Sequence, residues 1–344
     1  MKSIKLGNKY VGDENPCYII AEIGGLFKNF EEAKRLIDSA MEIGVDSVKF
    51  QTLEADTVTI KDNFFNMENT GRISQYELLK NFEISKDVQM EIVEYANSHN
   101  ITIFSAPSHL NDLDIMKKLD LQIFKIGSDL ACHIPLLKEV AKLNKPIILS
   151  TGMCSLEEVK KSVDAIFSTG NNQLAILHCV SNYPASPEEI NLNAIMTLKK
   201  EFDVPIGFSD HSKGKEIALG AVAMGANLIE KHFMDFRNSP SPDDVVALDK
   251  NMFTSMISSI RLIEKAMGDG EKLPTESEKK NILTNRVSII SLVEIKAGQT
   301  ISRDVIDIRR PSIGIQPIHF EKIIGKKAKI DIPKEMPLTF DMLE

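Results

Sequence analysis

The sequence has no CxxC pair, no basic surplus, no apolar run of membrane length and no Gly-x-Gly-x-x-Gly loop, and each absence closes a class of function. Cys17, Cys132, Cys154 and Cys179 are spaced for neither a zinc site nor a redox pair, so they are expected to be small buried hydrophobes. A formal net charge of −8 argues against a nucleic-acid binder, which would carry a basic domain or stripe. An anionic ligand must instead find a local pocket of Lys and Arg inside an acidic protein. The opening MKSIKLGNKY lacks the apolar centre of a signal peptide, and no later run approaches the ~18 apolar residues of a membrane span. A cytoplasmic protein without membrane contact is expected. At 344 residues, 43% hydrophobic and 26% charged, the chain has core enough for one large domain and a small one.

What is present is a rhythm. The short apolar runs CYIIAEIG, SVKFQT, ITIFSAP, IFKIGS, PIILSTG, LAILHCV, PIGFSDH and LIEKHF alternate with amphipathic stretches such as FEEAKRLIDSAMEIG, with a long polar loop after the second run. Nearly continuous apolar strands are those of a sheet covered on both faces, and three- and four-residue apolar spacing marks the helices. Eight such units in about 250 residues predict a (β/α)8 TIM barrel over residues 1–267. A doubly wound open sheet is the alternative, disfavoured because no Gly-rich phosphate loop follows the first strand. Gly, Pro and charges in GDGEKLPTESEKKN mark a linker over 268–282. Residues 283–344 are β-branched and turn-rich, and IKAGQTISRDVI (295–306) aligns faintly with IPKEMPLTFDML (332–343), which predicts a compact β-rich module of two similar halves.

Catalytic groups of such a barrel cluster where the strands end. Those ends read Glu22; Lys49 and Gln51; Ser105; Lys125 and Ser128; Ser150 and Thr151; Ser181 and Tyr183; Ser209 and His211; Glu230 and His232. A scaffold has no need to aim two lysines, two glutamates and two histidines at one mouth, since burying unpaired charge is costly. His211 and His232 end adjacent strands, about 5 Å apart by sheet spacing, and can share one borderline divalent ion with oxygen ligands. Lys49 and Lys125, with Ser128 and Ser150, form a seat for a small carboxylate or phosphate. Either lysine also has a rival role as a Schiff-base nucleophile. The other histidines read as solvated (His99, His109, His133, His319) or core (His178).

These motifs, IIAEIG at 19–24, VKFQ at 48–51, KIGS at 125–128, LSTGM at 149–153, LHCVSNYP at 177–184, GFSDHSKG at 207–214 and IEKHF at 229–233, resemble those of the sialic acid synthase family. RRPSIGIQP (309–317) and IIGKKA (323–328) resemble the antifreeze-like SAF (β-clip) domain that ends those enzymes. The resemblance implies a transferase of nonulosonate biosynthesis that condenses phosphoenolpyruvate with an N-acylated amino hexose and releases phosphate, with a lean toward pseudaminic-type products. It implies Lys49, Lys125, Ser128, Ser150, Ser181 and Ser209 around phosphoenolpyruvate, with Glu22 and Glu230 at the reacting carbons. Gln51, Tyr183, Asp243 and Arg310 would face the sugar, and His211 and His232 a divalent metal, manganese first, with magnesium or cobalt as substitutes. Arg310 would reach across a domain-swapped homodimer. Two alternatives stay open: a Schiff-base pyruvate aldolase using Lys125, and a catalytically altered sugar- or anion-binding homologue. The second is suggested by GLFKNF (25–30), which departs from the family pattern, as Ala106 does too.

Overall fold

The computed structural model describes residues 3–67, 71–235 and 242–344. It divides into two compact units, one ending at Gly268 and the other running from Asp269 to Glu344.

In the first unit the eight expected strands close into a barrel in chain order. They are Tyr18–Glu22, Ser47–Thr52, Thr102–Pro107, Phe124–Ile126, Ile147–Ser150, Leu174–Cys179, Ile206–Asp210 and Leu228–His232. All neighbours are parallel, and the eighth strand returns to the first from Leu228 opposite Tyr18 to His232 opposite Glu22. Alternation along each strand sorts the side chains. Tyr18, Ile20, Phe104, Ile148, Ala175, Leu177 and Leu228 form one buried cluster together with Ile4, Leu6 and Val11 of an N-terminal hairpin. Their neighbours Ile19, Ala21, Ile147, Leu149, Ile176 and Ile229 belong to a second cluster, shared with the surrounding helices. The helix Phe30–Ile43 shows how that layer forms. The Asn29 side chain accepts from the Glu32 N–H at its start, and it buries Ala33, Leu36, Ile37 and Ala40, spaced for one helical face.

The stretch after the second strand is more ordered than its polarity suggests. It contains helices Ala55–Val58 and Gln75–Phe82 and an antiparallel pair, Phe64–Met67 with Gly71–Ser74. Among the described residues no helix is long and apolar enough to cross a membrane.

The second unit begins with a helix, Glu276–Asn285, so residues 276–282 of the expected linker are helical. Its signal was in the sequence: Thr275 and Glu278 form a reciprocal capping box. Beyond it, Ser288–Ser291 pairs antiparallel with Ile306–Arg309 over a core that includes Ile289, Ile301, Ile323 and Leu338. The first residues of the two similar halves, Ile295 and Ile332, bond each other reciprocally, N–H to O, at 2.9 and 2.8 Å.

Candidate active site

The inward register that buries Tyr18 and Ile20 carries on to Glu22, and that of Leu228 carries on to Glu230 and His232. The mouth is therefore lined by residues two apart on each strand. Lys49, 6% exposed, contacts Glu22 and lies 3.5 Å from Glu230 Oε1. Lys125, 2% exposed, lies 3.6 Å from the same oxygen and donates to Ser150 Oγ at 2.7 Å and to the Ile126 carbonyl at 3.2 Å. Ser209 donates to Glu230 Oε1 at 3.1 Å, and the Gly24 N–H donates to Glu22 Oε1 at 2.6 Å.

The two carboxylates differ electrostatically. Burial pushes Glu22 above the usual carboxylate range despite Lys49. Glu230 is equally buried, but Lys125 and Lys49 outweigh that burial and hold it well below the range. The lysines diverge as well. Burial disfavours both ammonium groups; the Glu22 and Glu230 charges reverse this for Lys49, which lies above its ordinary value, whereas Lys125 stays below its own.

Beside Lys125, the turns after the fourth and fifth strands meet. The Gly152 N–H donates to Ser128 Oγ at 3.0 Å. A Cβ on Gly152 would overlap Ser181 Oγ and lie 2.9 Å from Ser128 Oγ, so only glycine leaves the cradle between these two hydroxyls open.

On the opposite side the His211 and His232 ring centroids are 5.6 Å apart. His211 donates from Nδ1 to the Val180 carbonyl at 2.9 Å, which turns Nε2 toward the Tyr183 hydroxyl, also 2.9 Å away. Tyr183 stacks on His211 at 4.2 Å and meets His232 edge-on at 5.8 Å. His232 Nδ1 is buried without a hydrogen bond, 3.6 Å from Asp243 Oδ2. Burial and the neighbouring His211 keep the His232 ring well below the ordinary histidine value, hence neutral. No three His, Cys, Asp or Glu residues among those described gather closely enough to hold an ion unaided. The donor chemistry fits a divalent cation bound by two imidazoles and completed by oxygens of substrate or water.

Glu22, Lys49, Lys125, Ser150, Ser209, His211, Glu230 and His232 meet at the mouth, whereas Ser105, out of step with the inward Phe104, bonds the Thr52 hydroxyl at 2.7 Å on the helix side, where Thr52 meets Gln89. Gln51 is half-buried with its Cγ 2.8 Å from where a Gly24 Cβ would stand, and Asp243 lies on the short helix Pro242–Val245. Arg310 is exposed in the second unit.

Three residues escaped the sequence reading. Cys179 is inward and buried, in step with Leu177, with Sγ 3.6 Å from His211 Nδ1. Burial pushes its thiol up, but His211 overrides this and brings it down to about 7. Asp210 and Lys231 precede the two histidines and form an ion pair at 2.9 Å with both side chains fully buried. Lys231 also donates to the Ser212 carbonyl at 2.5 Å, and Asp210 Oδ1 accepts from the Ser212 N–H and hydroxyl at 2.8 and 2.6 Å. The period-two alternation that aims His211 and His232 inward turns this pair outward, toward the helices, and that alternation was the available signal. Two of the solvated histidines have other work: His109 and His133 accept from backbone N–H groups at helix starts.

The NeuB family model matches residues 36–272 and the SAF domain model residues 286–344. The chain belongs to the NeuB family. The N,N'-diacetyllegionaminic acid synthase of Campylobacter jejuni is 37% identical to this NeuB-family chain over 90% of it and 95% of the relative. Pseudaminic acid synthase of the same species is 33% identical over 96% of each chain. Among solved structures, the N-acetylneuraminic acid synthetase of Leptospira borgpetersenii, in complex with citrate, is 33% identical with a TM-score of 0.71, over 82% of this chain and 95% of that one.

Proposed function

We propose that this NeuB-family chain is a cytoplasmic synthase that condenses phosphoenolpyruvate with the open-chain form of an N-acylated amino hexose, adds water and releases phosphate to give a nine-carbon 2-keto sugar acid. The observation that carries the reading is the joining, at one mouth, of two buried lysines and the Ser128–Gly152–Ser181 cradle with a facing pair of imidazoles.

Lys49 and Lys125 hold the trianionic substrate, with Ser150 and Ser209 orienting Lys125 and Glu230. The cradle takes substrate oxygens, and Gln51, Tyr183 and Asp243 face the sugar. His211 and His232 would hold a divalent cation, manganese in this proposal, which when bound would supply Lewis-acid polarisation of the sugar aldehyde. Glu230, kept ionised by the lysines, opposes the positive charge that develops at C2 of the former enol. Glu22, held above the usual carboxylate range, is suited to exchanging the proton of the adding water.

The test is phosphate release from phosphoenolpyruvate with mannosamine-type and dideoxy-diamino hexoses, with added Mn and with EDTA. Acceptor-dependent, EDTA-sensitive release supports the synthase; tight binding without turnover would instead show a binding protein. Acceptors leading to both legionaminic- and pseudaminic-type products belong in the panel, because the relatives named for those products are 37% and 33% identical, which gives the pseudaminic lean no advantage. One observation favours a second reading. Lys125 is held below its ordinary value, first by burial, as a Schiff-base lysine requires. Borohydride trapping of a pyruvate adduct on Lys125 would establish that alternative.

Two variants probe the parts. Gly152→Ala is expected to raise the phosphoenolpyruvate KM about tenfold, equivalent to about 1.4 kcal/mol, with the sugar KM unchanged. An unaltered phosphoenolpyruvate KM would remove the cradle from the site. In the proposed domain-swapped homodimer Arg310 serves the partner's barrel, so Arg310→Ala should raise chiefly the sugar KM in steady-state assays.

A further inference from the structure

The cysteine spacing indicated no redox pair, yet Cys132 Sγ and Cys154 Sγ stand 3.7 Å apart. Sequence spacing detects pairs within one turn, whereas these two lie 22 residues apart on the turns after the fourth and fifth strands, which pair side by side in parallel. All four cysteines are free; Cys132 is exposed and Cys154 half-buried.

Their position gives the pair meaning. The turn Ser128–Cys132 is tight, with the Ala131 N–H bonding the Ser128 carbonyl at 3.3 Å and the His133 N–H bonding that of Leu130 at 2.9 Å. The turn Thr151–Cys154 is closed by the Cys154 N–H on the Thr151 carbonyl at 3.3 Å. Ser128 and Gly152, which make the cradle, thus sit on the same two turns as the sulfurs, and the 3.0 Å bond between them is a second link between those turns.

We propose that Cys132 and Cys154 are an oxidation site whose reversible disulfide ties these two turns together and weakens anion binding in the cradle. Peroxide is the oxidant. The accessible Cys132 thiolate attacks a peroxide oxygen, the O–O bond breaks, and Cys132 sulfenic acid and water result. Cys154 sulfur then attacks Cys132 sulfur; the S–O bond breaks, a second water leaves, and the S–S bond forms. Two thiols give up two electrons and two protons to one hydrogen peroxide, which becomes two waters. Cys132 is exposed and Cys154 half-buried, so peroxide reaches Cys132 first, which assigns the first attack to it. The sulfurs must close from 3.7 Å to about 2.05 Å, and turns this short transmit the movement to Ser128 and Gly152. The consequence for binding rests on the phosphoenolpyruvate reading; the disulfide itself does not.

The full chain is treated with one equivalent of hydrogen peroxide, alkylated in denaturant, digested and weighed. A Cys132–Cys154 peptide pair two hydrogens lighter, reversed by dithiothreitol and absent in Cys132→Ser and Cys154→Ser, is expected. Cys17 and Cys179 should be alkylated. Separate alkylation or sulfinic acids at Cys132 and Cys154 would overturn the pair. Calorimetry should then show phosphoenolpyruvate binding about tenfold weaker in the oxidised protein and unchanged by peroxide in the double serine variant. A disulfide with equal affinity would overturn the gating. A cross-linked protein whose reduced form binds no phosphoenolpyruvate would refute the substrate reading and leave the thiol pair standing.

Discussion

Lys231→Met is expected to lower the stability of the barrel by about 3–5 kcal/mol, a large share of what holds an ordinary domain together. Lys231 and Asp210 have side chains with no solvent exposure, and the ammonium donates hydrogen bonds to the Asp210 carboxylate and the Ser212 carbonyl. Removing it leaves a carboxylate buried with only the Ser212 amide and hydroxyl for company. Removing both charges together should be far milder, because two well-packed apolar side chains carry no desolvation penalty. Urea unfolding of Lys231→Met, Asp210→Leu and the double variant checks this. Equal midpoints for the single and double variants would show that the ion pair is not what the single change breaks.

His211→Ala is expected to lower phosphate release by about 10²–10³-fold, the size of effect seen when one group facing developing charge is removed. The fold should survive. The change strands the Val180 carbonyl and the Tyr183 hydroxyl, a cost of about 1–3 kcal/mol each if water does not reach them. Electron paramagnetic resonance of added Mn should show the ion largely free in the variant and bound in the parent. Retained turnover or retained Mn binding would remove His211 from the ion. Burial would lower the His211 ring, but Cys179 beside it lifts the ring above the ordinary histidine value, so a proton competes with the cation for this site. Metal binding should accordingly weaken as pH falls through that raised value.

The fold was legible because its signal is periodic. Apolar runs such as YIIAE and IGFSD alternate with helix-spaced stretches, and a strand buried on both faces has few other ways to read. The polar strand ends were legible because position along a barrel strand fixes which end of the barrel a residue reaches. Helix 276–285 was misread as linker although its capping box, TESE, is a local motif; composition was weighed above capping. Cys179 was taken for a hydrophobe because a lone cysteine carries no spacing, and only the phase set by Leu177 turns it toward His211.

The sequence by itself determined the barrel, the β-rich module and the set of side chains delivered to the mouth, since these depend on period two and period 3.6 along the chain. Tertiary structure alone decided which of those side chains pair. It set Glu230 between two lysines, laid Gly152 against Ser128, brought Cys132 to Cys154 and hid Lys231 against Asp210. Each of these contacts joins residues far apart in the chain, on neighbouring strands or turns or, for Glu230 and the lysines, across the barrel mouth. Their distances and charge states follow from barrel closure and burial, which no local pattern encodes.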